Sequence, residues 1–254
     1  MSELVRMWGP VDASTELHEM YTTNGQNTTG APAGILVTPS YLPRIPGNPV
    51  CAESFGYQVM YAGVVAQEGV DRCEAAIDAA KYLEHEGARY IIAGSSDLAD
   101  LHSAVANSVS VPVYLSTICS VPWAVVAMGF EQKLGIITKD RASISKDMFR
   151  SCRVPEEYFD RCVVYDSEGT DVFAKLSPSM HGYNVDDLRD EVLSIVKKMC
   201  YEQPRLGGIM LECPDIMPFA ADIQSVCALP VFDTIVMADY LYKAVCKKHY
   251  YGYF

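Results

Sequence analysis

Two side chains that can exchange a proton with carbon follow short apolar runs of the sequence. Cys213 comes directly after residues 207–212 (GGIMLE), and Ser95 follows residues 89–94 (RYIIAG). Both runs have the composition of buried strands, so each side chain is expected at a strand-to-helix turn. A helix N-terminus favours the thiolate of a cysteine, which can take a proton from carbon next to a carboxylate or return one to an enolate. We therefore interpret Cys213 as a catalytic candidate and Ser95 as its counterpart.

An internal repeat relates the surroundings of these two residues. The segment GARYIIAGSSDLADLHSAVANSVSVPVYLST aligns without gaps with RLGGIMLECPDIMPFAADIQSVCALPVFDTI. Ser95 falls on Cys213 and Pro112 on Pro230, in both pairs 118 positions further along. Chance similarity between two βαβ units is the alternative, because buried parallel strands draw on few residue types. We prefer two related lobes that face each other across a pseudo-twofold axis and direct both side chains into one cleft.

Polar groups near the strand ends are candidates for binding the carboxylate of a small acid. Backbone N–H groups near Ser96 and near Pro214 and Asp215 could receive a carboxylate or enolate oxygen, although Pro214 itself has no N–H. Four hydroxyl candidates follow two further strands: Thr38, Ser40, Ser116 and Thr117. Ordinary helix capping is an equal alternative for these hydroxyls.

Charged residues near the same turns can have structural roles instead of catalytic ones. Asp97 and Asp215 are expected to cap helices rather than to act as acids or bases, because Asp satisfies the free N–H groups of a first turn. Glu212 points either to solvent or into a network beneath the turn, and the sequence favours neither. Lys139 is expected at the surface, with a carboxylate partner as the alternative, and His102 is expected to be structural.

Strands alternate with helices along the chain from residue 34 onward. Residues 34–38 form an apolar run typical of a buried strand, and apolar spacing over residues 70–86 predicts a helix that Gly87 ends. The alternation predicts an α/β fold of two pseudo-symmetric βαβ lobes, each with a mostly parallel four-stranded sheet flanked by helices, and an active site in the cleft between them. We assign residues 1–33 to an N-terminal arm or linker, residues 34–116 plus 233–254 to the first lobe, and residues 117–232 to the second.

Composition and charge argue against several classes of function. The formal net charge of −12 disfavours sequence-independent nucleic-acid binding, which depends on clustered Lys and Arg. No apolar run approaches the roughly 18 residues of a membrane span, and the first residues lack the apolar stretch of a signal peptide. The nine cysteines contain no C-x-x-C pair, and the five histidines lie too far apart for a zinc motif. We expect a cytoplasmic protein with reduced thiols that needs no metal and no cofactor, in which the other eight cysteines pack as small apolar residues.

The segments that carry these patterns resemble the aspartate/glutamate racemase superfamily of cofactor-independent enzymes over roughly residues 34–245. They are GILVTPSYLPRIPG, GARYIIAGSSDLA, VPVYLST, KLGIITKD, and LECPDIMPFAADI followed by LPVFDTI. The Pro-rich first segment, SFGYQVMYAGVV and the LEC turn are most similar to the subgroup that contains the algal dimethylsulfoniopropionate lyases. In this superfamily each lobe offers one cysteine, one thiolate removing the α-proton and the other thiol protonating the opposite face. Members often pair, so the resemblance also implies a homo-oligomer.

The resemblance places the second superfamily cysteine on Cys213 and the first on Ser95. A serine hydroxyl is a far weaker acid than a thiol, so inversion by two bases is disfavoured. A reaction that needs only one base remains possible. The resemblance extends to arylmalonate decarboxylase, which works with one cysteine and has a Gly-Thr-Ser stretch similar to Gly94-Ser95-Ser96. The main hypothesis is a lyase or decarboxylase that moves a proton on a small carboxylate through Cys213. The alternatives are an amino-acid racemase or isomerase in which Ser95 or a bound water replaces the missing thiol, and a catalytically silent protein that binds a small acid.

Overall fold

The computed structural model describes residues 30–40, 43–65, 71–167 and 183–250, which form two four-stranded sheets. Every strand pair is parallel. The first sheet contains β1 (Ala33–Val37), β2 (Val59–Gly63), β3 (Tyr90–Ala93) and β4 (Val113–Tyr114), in the spatial order β2-β1-β3-β4. The second contains β5 (Lys133–Ile137), β6 (Cys162–Tyr165), β7 (Leu206–Leu211) and β8 (Val231–Phe232), in the order β6-β5-β7-β8. The predicted α/β class is confirmed.

Helices connect the strands and cover the faces of both sheets. Within the described residues the α-helices are α1 (Arg72–His85), α2 (His102–Ala106), α3 (Val121–Val126), α4 (Lys146–Ser151), α5 (Val185–Glu202), α6 (Ala220–Cys227) and α7 (Thr234–Val245). None of them is long and apolar enough to cross a membrane. The sequence predicts one helix over about residues 97–107, but the chain forms a 3-10 helix over Ser96–Leu101 before α2 begins. The tighter 3-10 winding is common in the first turn of a helix.

The repeat found in the sequence falls on equivalent strands of the two sheets. An offset of 118 carries β4 onto β8, and β3 and β7 hold the same third place in sheets of equivalent strand order. The glycines of the central strands β1 and β5 are also equivalent in their packing. A Cβ on Gly34 would meet Leu83 of α1, and one on Gly135 would meet Met199 of α5. The pseudo-twofold axis itself stays a prediction.

Side chains of β7 alternate between two cores on opposite faces of the second sheet, as they do in any strand. Ile209 and Leu211 belong to the core built with α5 and α6. Met210 belongs to the core built with α3 and α4. The same alternation continues past the end of the strand and decides where residues 212 and 213 point.

The last helix returns to the first sheet. Ala238 and Leu241 of α7 pack against Ile35, Tyr90 and Ile92. Helix α7 therefore contacts the lobe to which the sequence assigns residues 233–254, while the lobe boundaries themselves stay predictions. Most of the predicted arm, residues 1–29, lies outside the described residues, as do residues 251–254.

Candidate active site

Cys213 lies at the carboxyl end of β7, where the chain turns toward a 3-10 helix. Its side chain is buried in the same core as Ile209 and Leu211, with 3% of the residue exposed. The backbone N–H groups of Asp215 and Ile216 lie near the sulfur and favour the thiolate, and the Ile216 N–H donates to the Cys213 carbonyl oxygen at 3.2 Å. Burial raises the pKa of the thiol to about 12, and the charge of Asp215 adds to this, whereas the two N–H groups and the charge of Lys139 oppose it. The thiol therefore sits in the expected turn, but the fold keeps it protonated at neutral pH.

The Pro-rich segment that follows β1 covers the turn of Cys213. Arg44 forms an ion pair with Asp215. Asn48 Nδ2 donates to the Pro214 carbonyl oxygen and to Asp215 Oδ1, at 3.1 Å in both cases. The expectation that Asp215 caps a helix is wrong, because Ile216 is the N-cap of the following 3-10 helix, Met217–Phe219. The Asp215 carboxylate is engaged instead by a loop of the other sheet. Asn48 was not recognised from the sequence, where the only signal is the run of prolines around it.

Ser95 lies at the carboxyl end of β3, beside the end of β1. Its Oγ is 2.7 Å from Thr38 Oγ1, and Thr38 Oγ1 donates to Asp97 Oδ1 at 3.3 Å. Burial raises the pKa of the Asp97 carboxyl, which the charge of Arg72 opposes. Two predicted residues are thus brought together here, in a chain of two hydroxyl groups and a carboxyl group. The other hydroxyl candidate that follows β1, Ser40, is exposed.

Glu212 joins the second sheet to the first. Ser116, which follows β4, donates its hydroxyl to Glu212 Oε1 at 2.5 Å, and Thr117 donates to the Leu211 carbonyl oxygen at 2.9 Å. Burial raises the pKa of the Glu212 carboxyl to about 7, opposed by these hydroxyl groups and by the N–H groups of Ile118 and Thr117. The sequence left two directions open for Glu212, and in the structure its side chain points into the buried network rather than to solvent.

A cavity of 620 Å³ opens at the carboxyl ends of β3, β5 and β7. Ser96, Thr138, Lys139 and Glu212 line it. The residues adjacent to Ser95 and Cys213 therefore share one cavity, although the lining comprises their neighbours rather than these two side chains. The single pocket predicted for residues 95 and 213 stays a prediction.

The contacts of His102 agree with the structural role expected of it. It is buried, its Nδ1 accepts the Leu115 N–H at 3.5 Å, and burial lowers its pKa to about 4. Among the described residues, no group of three or more His, Cys, Asp or Glu side chains is arranged to hold a metal ion.

Comparisons with known proteins agree with the resemblance predicted from the sequence. No family model matches the chain. A dimethylsulfoniopropionate lyase of Durusdinium sp. clade D is 24% identical over 243 residues, which cover 89% of this chain and 79% of that protein. Dimethylsulfoniopropionate lyase 5 of Emiliania huxleyi (strain CCMP1516) is 26% identical over 86% of this chain, which spans 45% of the length of that relative. The chain spans about half the length of the Emiliania huxleyi relatives that it matches.

Solved structures share the fold at low sequence identity. An aspartate racemase homologue from Pyrococcus horikoshii OT3 has a TM-score of 0.55 at 17% identity, over 85% of this chain and 99% of its own. Unliganded arylmalonate decarboxylase has a TM-score of 0.53 at 12% identity, over 86% of this chain and 94% of its own. Taken together, the comparisons support an enzyme with this superfamily's fold, as the sequence predicts.

Proposed function

From the aspartate/glutamate racemase-superfamily fold of this chain, we propose that it is a cofactor-independent lyase that removes a proton next to the carboxylate of a small acid. Cys213 is the single base, and the substrate is dimethylsulfoniopropionate or a related sulfonium acid. The observation that carries the proposal is the position of Cys213 at the end of β7, where two backbone N–H groups and the charge of Lys139 favour its thiolate. Similarity to a dimethylsulfoniopropionate lyase over 89% of the chain supports the choice of substrate.

The proposed reaction is a β-elimination. The Cys213 thiolate takes the proton from Cα, and the electron pair of that C–H bond forms the Cα–Cβ double bond. The Cβ–S bond breaks with its electron pair going to sulfur, so the products are acrylate and neutral dimethyl sulfide. The thiol then returns its proton to water. Because burial raises the pKa of Cys213 to about 12, the thiolate is scarce at neutral pH but strongly basic once it forms.

The substrate carboxylate is proposed to lie against the turns that follow β3 and β7. Lys139 is close enough to Cys213 for its charge to lower the pKa of the thiol, so it can also attract a carboxylate held beside the sulfur. Ser96 lines the same cavity as Lys139. Ser116 and Thr117 donate their hydroxyls to the second sheet, and we assign them to positioning rather than to direct contact with substrate.

The test is dimethyl sulfide release from dimethylsulfoniopropionate by matched cysteine variants. Cys213→Ala and Cys213→Ser are expected to lose activity by at least about a thousandfold, because the only base is removed. Cys200→Ala, near the C-terminal end of α5 and at the opposite end of the second sheet from the cavity, is the control and should keep wild-type activity. Circular dichroism checks that each variant is folded. A folded Cys213→Ala variant with wild-type activity would contradict the proposal.

The contacts of Ser95 favour one second candidate, an isomerase. Ser95 is linked through Thr38 to the Asp97 carboxyl, a path by which a hydroxyl proton could be exchanged. This candidate requires exchange of the α-hydrogen with inversion at a stereocentre in heavy water, for example with aspartate or glutamate. Exchange that is lost in Ser95→Ala as well as in Cys213→Ala would favour the isomerase over the lyase, and retained configuration would exclude it.

We also propose that the two lobes are related by a pseudo-twofold axis, that the protein is cytoplasmic and that its copies associate into a homo-oligomer. Its proposed partner is a small carboxylate, and we propose that it binds neither nucleic acid nor membrane.

A further inference from the structure

We infer that the carboxyl of Glu212 binds the cationic end of the substrate in the cavity that it lines, so that Glu212 selects a methylated cation over an uncharged group of the same shape. This inference rests on the proposed function, because it assigns the other end of the same substrate. Glu212 lies on the face of β7 opposite to Cys213, since Cys213 follows the alternation of Ile209 and Leu211. The proposed binding place at the end of β7 therefore has the thiol of Cys213 on one side and the carboxyl of Glu212 on the other.

One oxygen of Glu212 has no partner in the described part of the chain. Oε1 accepts the Ser116 hydroxyl at 2.5 Å, whereas Oε2 is buried and meets no hydrogen-bond partner there. Glu212 also lines the cavity, although only 2% of the residue is exposed. A buried carboxylate oxygen without a donor is costly unless a bound group compensates its charge.

The charges around the cavity favour a cation at this end. Five carboxyl groups line it, against two cationic side chains. The carboxyl groups belong to Asp97, Asp100, Asp140, Asp147 and Glu212. Two of these carboxyl groups are in ion pairs, Asp100 with Arg72 and Asp147 with Arg150, so the excess of negative charge comes from Asp97, Asp140 and Glu212. The second cation, Lys139, is close enough to Cys213 to lower the pKa of the thiol. Lys139 is therefore placed to attract the carboxylate of a zwitterionic substrate rather than its cation.

The apolar part of the lining suits methyl groups. Ala99, Ile144 and Met148 contribute to the wall. A methylated cation has no N–H or O–H to donate, so it needs negative charge nearby and apolar surface around its methyl groups. A primary ammonium group would instead require several oxygen acceptors at hydrogen-bond distance.

The experiment compares the binding of two ligands of the same shape by calorimetry. 3-(Trimethylammonio)propanoate carries the fixed cation, and 4,4-dimethylpentanoate replaces that nitrogen by carbon. Both are tested on Cys213→Ala protein, so that binding is measured without turnover. We expect the cationic ligand to bind at least about tenfold more tightly, a preference of about 1.4 kcal/mol. Adding Glu212→Gln should remove this preference, while adding Asp222→Asn, an exposed carboxylate on α6, should leave it unchanged.

A second measurement keeps the inference testable if Glu212→Gln does not fold. The preference of protein with intact Glu212 should increase from pH 6 to pH 8, because the pKa of Glu212 is raised to about 7. The groups around Glu212 are Ser116 and Cys119 from the turn after β4 and the charged lining of the cavity. Equal binding of the two ligands, or a preference that persists in Glu212→Gln, would overturn the inference. Neither result depends on whether Cys213 is the base, which the cysteine variants test separately.

Discussion

Cys213 has a pKa far above neutral pH in this fold, and this sets the pH dependence expected of its chemistry. Burial raises the pKa of the thiol to about 12, so the thiolate fraction should increase about tenfold for each pH unit below that value. We expect kcat/KM for dimethyl sulfide release to rise by about this factor per unit between pH 7 and pH 9. Initial rates at subsaturating substrate measure it. A rate that is flat over this interval would argue against Cys213 as the base of the free enzyme.

The buried carboxyl of Glu212 should make the folded state less stable as pH rises. Its pKa is about 7 in the fold and 4.5 for an ordinary glutamate. A raised folded-state pKa means that stability is fully present below pH 4.5 and is lost as pH rises through 7. The loss is about 3 kcal/mol, from about 1.4 kcal/mol per pKa unit.

Glu212→Gln separates this effect from the other buried acids, such as Asp233, whose pKa burial raises to about 6. The glutamine keeps the shape of the side chain and cannot ionise. We expect the variant to match wild type near pH 4.5 and to exceed it by about 3 kcal/mol in free energy of unfolding at pH 8. Urea denaturation at both pH values measures the difference. If the variant were less stable than wild type at pH 8, Glu212 would be held ionised by favourable contacts instead.

At the scale of elements, the loop after β1 should control access to the turn of Cys213. Gly47 in this loop has φ +99°, and a Cβ on it would lie 2.6 Å from Pro218 Cα. Alanine is strained at this φ and clashes with the backbone of the facing turn. We expect Gly47→Ala to lose about 1–3 kcal/mol of unfolding free energy and to reduce dimethyl sulfide release.

Gly56→Ala is the matched control for that loop, because a Cβ on Gly56 meets nothing within 4 Å. It should change neither stability nor activity. Urea denaturation and the dimethyl sulfide assay are applied to both variants. Equal behaviour of the two glycine variants would show that the contact between the loop and the turn after β7 carries no constraint.

The strands could be predicted from the sequence because burial of parallel strands depends on local composition. The apolar run at residues 34–38 became Ala33–Val37, and the run at residues 89–94 contains the strand Tyr90–Ala93. The site was less predictable, because its contacts join distant segments. The direction of Glu212 is decided by Ser116, 96 positions earlier. Asn48 reaches Pro214 across 166 positions, and a run of prolines does not reveal where its loop will lie.

At the scale of the whole molecule, the buried Ser116–Glu212 hydrogen bond ties the two sheets together at their carboxyl ends. Removing its donor leaves a buried carboxylate with less compensation. We expect Ser116→Ala to lose about 1–3 kcal/mol of unfolding free energy at pH 8 and to reduce activity. Ser225→Ala is the control, since its hydroxyl donates to a backbone carbonyl oxygen at an exposed site. Similar losses in the two serine variants would contradict a special role for the bond between the sheets.

The central claim is that Cys213, at the junction of the two sheets, reaches the carbon next to a substrate carboxylate. A crystal structure with bound 4-methylpentanoate tests it most directly, because this acid has the shape of dimethylsulfoniopropionate without its leaving group. We expect the ligand Cα to lie about 3–3.5 Å from the Cys213 sulfur, the separation of groups poised to react. A carboxylate bound elsewhere, or a Cys213 sulfur that stays buried in the core of the second sheet with the ligand in place, would contradict the account.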